Sequence, residues 1–229
     1  MELKNKVIVI TGGSKGFGKS LAGAFIKDAA KVIIASHDET ELKKAAEELN
    51  VDSFVVDVTK PEDVEALANF VAEKYGEIDV WINNAGIQIA PSLIEDIDIE
   101  KIQHLYDVNF FGYFYGCQSA IRRMKKQKEG LIININSTAG LDGKATISAY
   151  SSSKWAIRGL TESIRKELLD SSVKIFSVHP GGMQTEIYKE KYPDDFKEYM
   201  SVEYATEKVI DNLKSDNPDQ DLVIKRPGV

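Results

Sequence analysis

Residues 7–18 read VIVITGGSKGFG, and this stretch decides the fold. The β-branched residues at its start predict a buried strand, since such side chains pack well on a pleated surface. Glycines at positions 12, 16 and 18 follow in a G-x-x-x-G-x-G pattern, and a helical pattern begins at Lys19. Glycines at a strand-to-helix turn let the backbone approach a phosphate group, while the helix N-terminus offers free N–H groups to it. The stretch therefore predicts a phosphate-binding turn at the start of an α/β domain.

Short apolar runs alternate with stretches of helical periodicity along the remaining chain. Runs that are apolar throughout, rather than at every second residue, indicate a sheet covered on both faces. The alternation of strands and helices predicts parallel strands joined by right-handed crossovers. We therefore expect one α/β domain over residues 1–229, a doubly wound (Rossmann) parallel sheet of about seven strands with helices on both faces. The runs that predict the strands are 7–10, 32–35, 53–56, 78–82, 131–135, 173–178 and 222–224.

The composition argues against several classes of protein. The 229 residues include 29 basic and 36 acidic side chains, a net charge of −7, whereas a nucleic-acid-binding protein normally presents a basic face. The single Cys117 has no partner for an intramolecular disulfide. The apolar run near the N-terminus is too short for a signal peptide or a membrane span. We expect a cytoplasmic protein with neither nucleic acid nor a membrane as a partner.

Tyr150 and Lys154 form a Y-x-x-x-K pattern, which places both side chains on one face of a helix. The pattern alone is weak, because a chain of this composition should contain about one match by chance. Tyr204 and Lys208 do form a second match. Only the first pair follows a serine, Ser137, that stands at the carboxyl edge of the predicted sheet, where doubly wound folds bind ligands. We therefore assign the active site to Ser137, Tyr150 and Lys154, and the second pair to a surface helix.

These residues belong to a longer series of motifs, and with that series the chain resembles the short-chain dehydrogenase/reductase family from Lys6 to about Ile224. Each motif is modest alone, but all of them occur in the family's order and at its spacing. The resemblance implies an oxidoreductase that interconverts a carbonyl and an alcohol on a small or medium organic substrate. The matching segments are Thr11-Gly12…Gly16-Phe17-Gly18, Asp57-Val58, Asn83-Asn84-Ala85-Gly86, Asn109-Phe110-Phe111-Gly112, Ser137, Tyr150, Lys154, and Pro180-Gly181 with Thr185.

The resemblance also implies a role for each catalytic residue. Tyr150 acts as the acid in reduction and the base in oxidation, and Ser137 donates a hydrogen bond to the substrate oxygen. Asn109 anchors a water molecule that links Lys154 to solvent. A free phenol titrates at about pH 10, and the Lys154 ammonium one helical turn away favours the phenolate. We therefore expect Lys154 to lower the pKa of Tyr150.

A nicotinamide cofactor is implied as well, and two positions bear on which one binds. NAD-preferring members carry an acid at the end of the second strand, where Ser36 and His37 stand instead. Lys15 and His37 can pair with a 2′-phosphate, although Asp38 would oppose it if turned inward. Alternatively, Ser36 simply caps the next helix, since residues 36–39 fit a capping box. We expect NADP(H) as the preferred cofactor, with NAD(H) as the alternative. The implied cofactor-binding residues are Gly12, Ser14, Lys15, Gly16, Phe17, Gly18, Ser36, His37, Asp57, Val58, Asn84, Ala85, Gly86, Tyr150, Lys154, Pro180, Gly181 and Thr185.

Three further segments shape our expectations about partners. Residues 182–200 mix aromatic side chains with many charges after the sixth strand, so we expect a substrate-binding lid there. The aromatic residues between 110 and 115 predict core packing and, by the resemblance, contact with a second copy, hence a homodimer or homotetramer. His104 and His179 lack companion ligands, and we expect no metal site.

Other functions stay open beside this assignment. The basic run at residues 122–128 indicates either a solvated helix end or a docking patch for an acidic carrier, which would suit a carrier-bound 3-oxoacyl reductase. A nucleotide-sensing regulator of the same fold is the alternative from another class, although such a protein would be expected to lack Tyr150 or Lys154. An epimerase or dehydratase on this scaffold is a further alternative. Such proteins generally carry a larger C-terminal substrate domain, whereas we expect a single domain here.

Overall fold

The computed structural model describes residues 1–227, and its seven strands in that range all pair in parallel within one sheet. They are β1 (Val7–Thr11), β2 (Lys31–Ser36), β3 (Asp52–Val55), β4 (Val80–Asn83), β5 (Gly130–Ile135), β6 (Val173–Pro180) and β7 (Asp221–Ile224). Their order is β3-β2-β1-β4-β5-β6-β7, which confirms the doubly wound fold. The direction of sheet growth reverses between β1 and β4, and this reversal opens a crevice at the carboxyl ends of those strands.

Helices cover both faces of the sheet, as predicted. They are α1 (Gly16–Lys27), α2 (Glu39–Leu49), α3 (Pro61–Tyr75), α4 (Ile99–Tyr106), α5 (Gly112–Gln127), α6 (Ser148–Glu167) and α7 (Val202–Lys214). Leu21 and Val209 belong to a core that packs α1, α2 and α7 on one face. Leu67 and Ile164 belong to a second core that packs α3, α5 and α6 on the other. Burial of these apolar stripes on both sides of the sheet is the main source of stability.

The two edge strands depart from the expectation that every strand is covered on both faces. All five residues of β1 are buried. In contrast, Val55 in β3 is 47% exposed and Val223 in β7 is 42% exposed. An edge strand has a neighbour on one side only, and the helices do not extend fully over it. The apolar runs in the sequence could not distinguish an edge strand from a central one, because both contain mostly Val, Ile and Leu.

The described part of the chain also bears on membrane spans, metal ligands and the single cysteine. Over residues 1–227, no helix is both long and apolar enough to span a membrane. The same range contains no group of three or more His, Cys, Asp or Glu side chains placed to hold a metal ion. Cys117 is buried on α5, where burial raises the pKa of its thiol to about 12.

Candidate active site

The glycine-rich turn between β1 and α1 is shaped for a close backbone approach. Gly12 and Gly16 have positive φ angles of 66° and 51°, which residues with a side chain rarely adopt. A Cβ at Gly18 would lie 2.3 Å from the carbonyl oxygen of Gly12, so only glycine fits there. Among residues 1–227, no side chain caps α1, and its first turn contains no acidic residue. The free N–H groups of this helix end therefore suit a phosphate, and the turn fits the pyrophosphate of a dinucleotide cofactor.

Asn84 fastens the segment after β4 to this turn. Its Nδ2 donates to the carbonyl oxygens of Thr11, at 2.9 Å, and of Gly12, at 3.1 Å. Its backbone N–H donates to Thr11 Oγ1 at 3.1 Å. Ala85 lies against the turn as well, since a Cβ at Gly12 would come within 2.8 Å of the Ala85 Cα. The Asn84 amide is thus used to hold the turn in shape.

The far end of the predicted cofactor site lies beyond β2. Ser14 Oγ donates to Ser36 Oγ across 3.1 Å, and both side chains are buried. Ser36 does not cap α2, because β2 continues through this residue. The capping residue is Asp38, whose carboxylate accepts from the Glu41 N–H at 3.1 Å. The capping interpretation of Ser36 was therefore wrong. The Asp38 carboxylate, which would oppose a cofactor phosphate if it turned inward, is instead held by the N-terminus of α2. His37 is exposed between the two.

Asp57 and Val58 follow β3 at the same edge of the sheet. The Asp57 carboxylate accepts from the N–H and the Oγ1 of Thr59, at 3.0 and 2.7 Å. Val58 packs against the start of α5, where a Cβ at Gly112 would lie 3.0 Å from Val58 Cγ2. These contacts order the loop that borders the crevice beside Ser36.

Lys15 lies between α2 and the lid. Its Nζ is 3.7 Å from a carboxylate oxygen of Glu41 and 3.7 Å from one of Glu186, and the side chain is 44% exposed. It borders a cavity of about 500 Å³ whose lining also includes Gly16 and Thr185. The lysine thus stands at the rim where a cofactor phosphate is expected, but two carboxylates share its charge. Neither partner was predicted, because each is brought there from a distant part of the chain.

Ser137, Tyr150 and Lys154 come together at the carboxyl edge of β5. Tyr150 and Lys154 lie one turn apart on α6 and are 9% and 3% exposed. The Lys154 ammonium donates to the carbonyl oxygen of Ile135 at 3.2 Å and lies 5.6 Å from the centre of the Tyr150 ring. The Ser137 hydroxyl, just past the end of β5, lies close enough to the Tyr150 phenol to lower its pKa. Tyr150 and Lys154 are thus buried side by side on α6, with the partly exposed Ser137 next to them.

The protonation states of this cluster differ from the expectation. Burial raises the pKa of Tyr150 to about 12, although the nearby Ser137 hydroxyl lowers it in part. Burial also lowers the pKa of Lys154 to about 7. The prediction that Lys154 lowers the pKa of Tyr150 was therefore wrong for the protein without cofactor. The physical reason is that the lysine is itself desolvated and contacts the face of the Tyr150 ring and a backbone carbonyl.

Asn109 is placed by a π-helical turn, residues 107–111, between α4 and α5. Its side chain is fully buried, and Oδ1 accepts from the Ile87 N–H at 2.9 Å. Its Nδ2 donates to the Ile87 carbonyl at 2.9 Å and to Ser153 Oγ at 3.3 Å. Gly86 lies beside it, and a Cβ there would be 4.0 Å from Lys154 Nζ. The helical stretch from residue 99 to residue 127 is thus interrupted by a π turn at Asn109, and such turns are frequent at functional sites.

A row of buried polar side chains holds α6 in place, and the sequence reasoning missed it. Asn83 donates to Asn134 across 2.8 Å, and Asn134 donates to Thr161 of α6 at 2.9 Å. Tyr113 donates to the Ile135 carbonyl at 2.7 Å, the same oxygen that accepts from Lys154. The available signal was an asparagine within each of two strand segments that are otherwise apolar, since a buried amide requires partners.

The lid connects the end of β6 to α7. Gly181 donates its N–H to the Ile224 carbonyl at 2.9 Å, directly after Pro180 ends β6. Thr185 reaches the glycine turn, where a Cβ at Gly16 would lie 3.4 Å from its methyl group. No residue from 182 to 199 is buried, and four of the aromatic rings pack on one another. The lid is thus largely packed on itself, with Ile187 touching the apolar cluster around Tyr150.

Comparisons with known proteins agree with this arrangement. The sequence profile of the short chain dehydrogenase family matches residues 6–195. An uncharacterized oxidoreductase of Staphylococcus saprophyticus is 34% identical over 191 residues, which cover 81% of each chain. An uncharacterized oxidoreductase of Staphylococcus aureus is 34% identical over 198 residues, which cover 85% of each chain.

Solved structures are similar over almost the whole chain. An alcohol dehydrogenase from the archaeon Thermococcus sibiricus, complexed with 5-hydroxy-NADP, has 28% identity, a TM-score of 0.88 and 97% coverage of each chain. A 3-ketoacyl-(acyl-carrier-protein) reductase from Brucella melitensis, complexed with NADH, has 24% identity, a TM-score of 0.91 and 98% coverage of each chain. The profile match and the relatives above 30% identity show that the chain belongs to the short-chain dehydrogenase/reductase family of oxidoreductases.

Proposed function

We propose that the protein is an NADP(H)-dependent oxidoreductase that interconverts a carbonyl and an alcohol, with Tyr150 as its acid and base. The observation that carries this proposal is the burial of Tyr150 and Lys154 one helical turn apart on α6, next to the partly exposed Ser137 at the carboxyl edge of β5. Burying a lysine at the expense of its charge is costly, and such perturbed groups concentrate at catalytic sites. A protein that only sensed a nucleotide would have no use for this cluster.

The chain's own groups suit carbonyl reduction. A bound nicotinamide would supply or accept the hydride. Ser137 Oγ accepts a hydrogen bond from the Ala139 N–H at 3.1 Å, so its own proton is free to turn from the Tyr150 phenol to the carbonyl oxygen of the substrate. Tyr150 then gives its proton to that oxygen as negative charge develops. Burial keeps the phenol protonated, which is the form that reduction requires.

Alcohol oxidation makes the opposite demand on Tyr150. The phenol must lose its proton first, so its pKa has to fall when positive charge gathers near it, and a protonated Lys154 supports that fall. Asn109 fits the proposed water-holding role, because its contacts with the Ile87 backbone lie next to Gly86 and Lys154. A water bound at this place would link Lys154 to solvent.

The preference for NADP(H) rests on the rim of the cofactor site. Ser36 occupies the end of β2, where an acid would grip the ribose 2′-hydroxyl of NAD, and Lys15 offers a cation for a 2′-phosphate. Among similar structures, the archaeal alcohol dehydrogenase was solved with 5-hydroxy-NADP and the Brucella reductase with NADH. Either nicotinamide therefore suits the family, and the rim residues favour the phosphorylated one.

The surroundings of Tyr150 favour a small or medium apolar substrate. Ile87, Ile89, Ile147 and Ile187 pack around the buried Tyr150 cluster, and such a wall suits an uncharged carbonyl compound better than an anionic one. A carrier-bound acyl group receives less support, because the basic run 122–128 lies where α5 ends and β5 begins. The six residues of β5 separate that edge from Ser137 by roughly 20 Å, at about 3.3 Å per residue.

We also propose that the protein works as a homodimer or homotetramer. Phe111 at the end of the π turn, Phe114 on α5 and Trp155 on α6 are 42%, 40% and 45% exposed, and a monomer would leave these large side chains in water. Light scattering of the purified protein should find an even number of chains. A monomer at micromolar concentration would contradict this part of the proposal.

The decisive experiment compares the two Y-x-x-x-K tyrosines. Tyr150→Phe keeps the ring and removes only the hydroxyl, so turnover in a panel of carbonyl compounds with NADPH should fall by roughly two to four orders of magnitude. Thermal stability should change little, because one hydroxyl hydrogen bond contributes about 1 kcal/mol. Tyr204→Phe is the matched control. The prediction of a surface position for Tyr204 was wrong, because it is half-buried on α7 and packs against the core there, with Lys208 Nζ 5.3 Å from its ring centre. A fully active Tyr150→Phe enzyme would overturn the mechanism.

A further inference from the structure

His179 is a buried imidazole that the proposed mechanism does not use. It lies on β6 and is 1% exposed, whereas His104 on α4 is exposed. A buried polar ring destabilises the folded protein unless it has hydrogen-bond partners. Burial also lowers the pKa of His179, so the ring is neutral at pH 7 and carries one N–H. This buried N–H needs a hydrogen-bond acceptor within the folded protein.

The partner of the ring is the backbone of Ser137. The Nδ1 atom of His179 lies 3.4 Å from the Ser137 carbonyl oxygen. A carbonyl oxygen can only accept, so the tautomer that bonds here has its proton on Nδ1. The other ring nitrogen, Nε2, faces Asp221 at 3.8 Å, and two bonds from Arg165, of 2.8 and 3.0 Å, already pair that carboxylate.

The residue before Ser137 offers no competing support. Asn136 is 3% exposed, and neither its amide nitrogen nor its amide oxygen has a hydrogen-bond partner among the described residues. Its backbone N–H is bonded to the Val178 carbonyl at 2.7 Å, within the continuation of the sheet. The Ser137 carbonyl accepts one hydrogen bond from His179 Nδ1, at 3.4 Å, and another from the Gly140 N–H, at 2.9 Å. His179 is thus the side chain that fixes the peptide of Ser137.

We propose that His179 is a positioning residue, which orients the Ser137 hydroxyl toward Tyr150 and the substrate oxygen through the Ser137 carbonyl. The inference rests on the proposed function in one respect, that Ser137 is the hydrogen-bond donor of the reaction. Holding the carbonyl fixes the rotation of the peptide, and with it the direction of the Ser137 Cα–Cβ bond. A shift of about 1 Å in such a group lowers turnover by up to about a hundredfold.

Two substitutions at this position separate a hydrogen bond from mere packing. His179→Leu fills the space and offers no N–H, so kcat should fall by roughly 10- to 100-fold with KM for the carbonyl substrate nearly unchanged. His179→Asn carries its amide nitrogen on Cγ, where Nδ1 stands in histidine, and should keep kcat within about threefold of wild type. NADPH affinity, measured by fluorescence titration, should stay within about twofold in both variants, because Ser137 touches the substrate rather than the cofactor.

Ser177→Ala is the matched control, since Ser177 is buried two residues earlier on the same face of β6 and its hydroxyl has no partner in residues 1–227. It should retain full activity. A folded His179→Leu enzyme with wild-type kcat would overturn the inference, as would equal losses in the Leu and Asn variants, which would indicate packing alone. Tyr150→Phe measured in parallel keeps the two proposals apart. If it is inactive while His179→Leu is fully active, the positioning role fails and the proposed function stands.

Discussion

Replacing Lys154 with methionine should make the protein more stable while it abolishes turnover. Burial lowers the pKa of Lys154 to about 7, from the ordinary value of 10.5 for a lysine side chain. This difference corresponds to roughly 5 kcal/mol, at about 1.4 kcal/mol per pH unit. It is the free energy by which the folded protein disfavours a charged lysine at this place. Methionine has a similar length and carries no charge, so the variant is free of that penalty.

The penalty depends on pH in a defined direction. Between pH 7 and 10.5 the unfolded chain holds the Lys154 proton and the folded protein does not, so the wild type becomes more stable as pH rises through this window. Below pH 7 the lysine is charged in both states, and the whole penalty is present. Lys154→Met also loses the hydrogen bond to the Ile135 carbonyl, and this loss offsets about 1 kcal/mol of the stability that the variant gains. Lys154→Met should therefore exceed the wild type by about 2–4 kcal/mol at pH 6, and the difference should shrink toward zero by about pH 10.

Urea unfolding followed by circular dichroism, at a series of pH values and without cofactor, measures this difference. Cofactor is left out because binding stabilises the folded state by mass action. Lys208→Met is the control, since Lys208 belongs to the second Y-x-x-x-K pair and is only half-buried, and it should change stability by less than about 0.5 kcal/mol and leave turnover intact. A Lys154→Met protein that is no more stable than the wild type at pH 6 would refute the reasoning. So would a difference that does not vary with pH.

Three further predictions concern the cofactor site and the lid. Lys15→Ala should weaken NADPH binding about tenfold and leave NADH binding unchanged in a fluorescence titration, because it removes one charge-assisted contact to the 2′-phosphate; equal losses for both cofactors would count against the preference. Gly18→Ala should abolish cofactor binding, since its Cβ would lie 2.3 Å from the Gly12 carbonyl, whereas Gly23→Ala in the same helix has room, with the nearest atom at 3.8 Å, and should stabilise the protein by roughly 0.5–1 kcal/mol. Hydrogen exchange should be fast at residues 182–200 in the free protein and slower with cofactor and substrate bound; protection equal to that of the sheet without ligand would contradict a mobile lid.

The pattern of residues along the chain was enough to predict the fold, which the structure confirms, and the residues of the proposed site. Strand, turn and helix are local matters, decided by β-branched runs, by glycines at 12, 16 and 18, and by helical periodicity. The doubly wound topology then follows from general rules on crossovers, which place Ser137 and the α6 pair at one edge. Each of these steps depends on neighbours a few residues apart or on geometry common to all parallel sheets.

The electrostatics of the site and its supports could only come from tertiary contacts. Spacing suggested that Lys154 would lower the pKa of Tyr150, but burial dominates for both groups, and burial depends on everything packed around them. The contact of Asn109 with the Ile87 backbone joins residues 22 positions apart, and that of His179 with the Ser137 carbonyl joins residues 42 positions apart. No local propensity encodes such pairs. They exist because the sheet brings distant segments together at one edge and buries polar groups that must then find partners there.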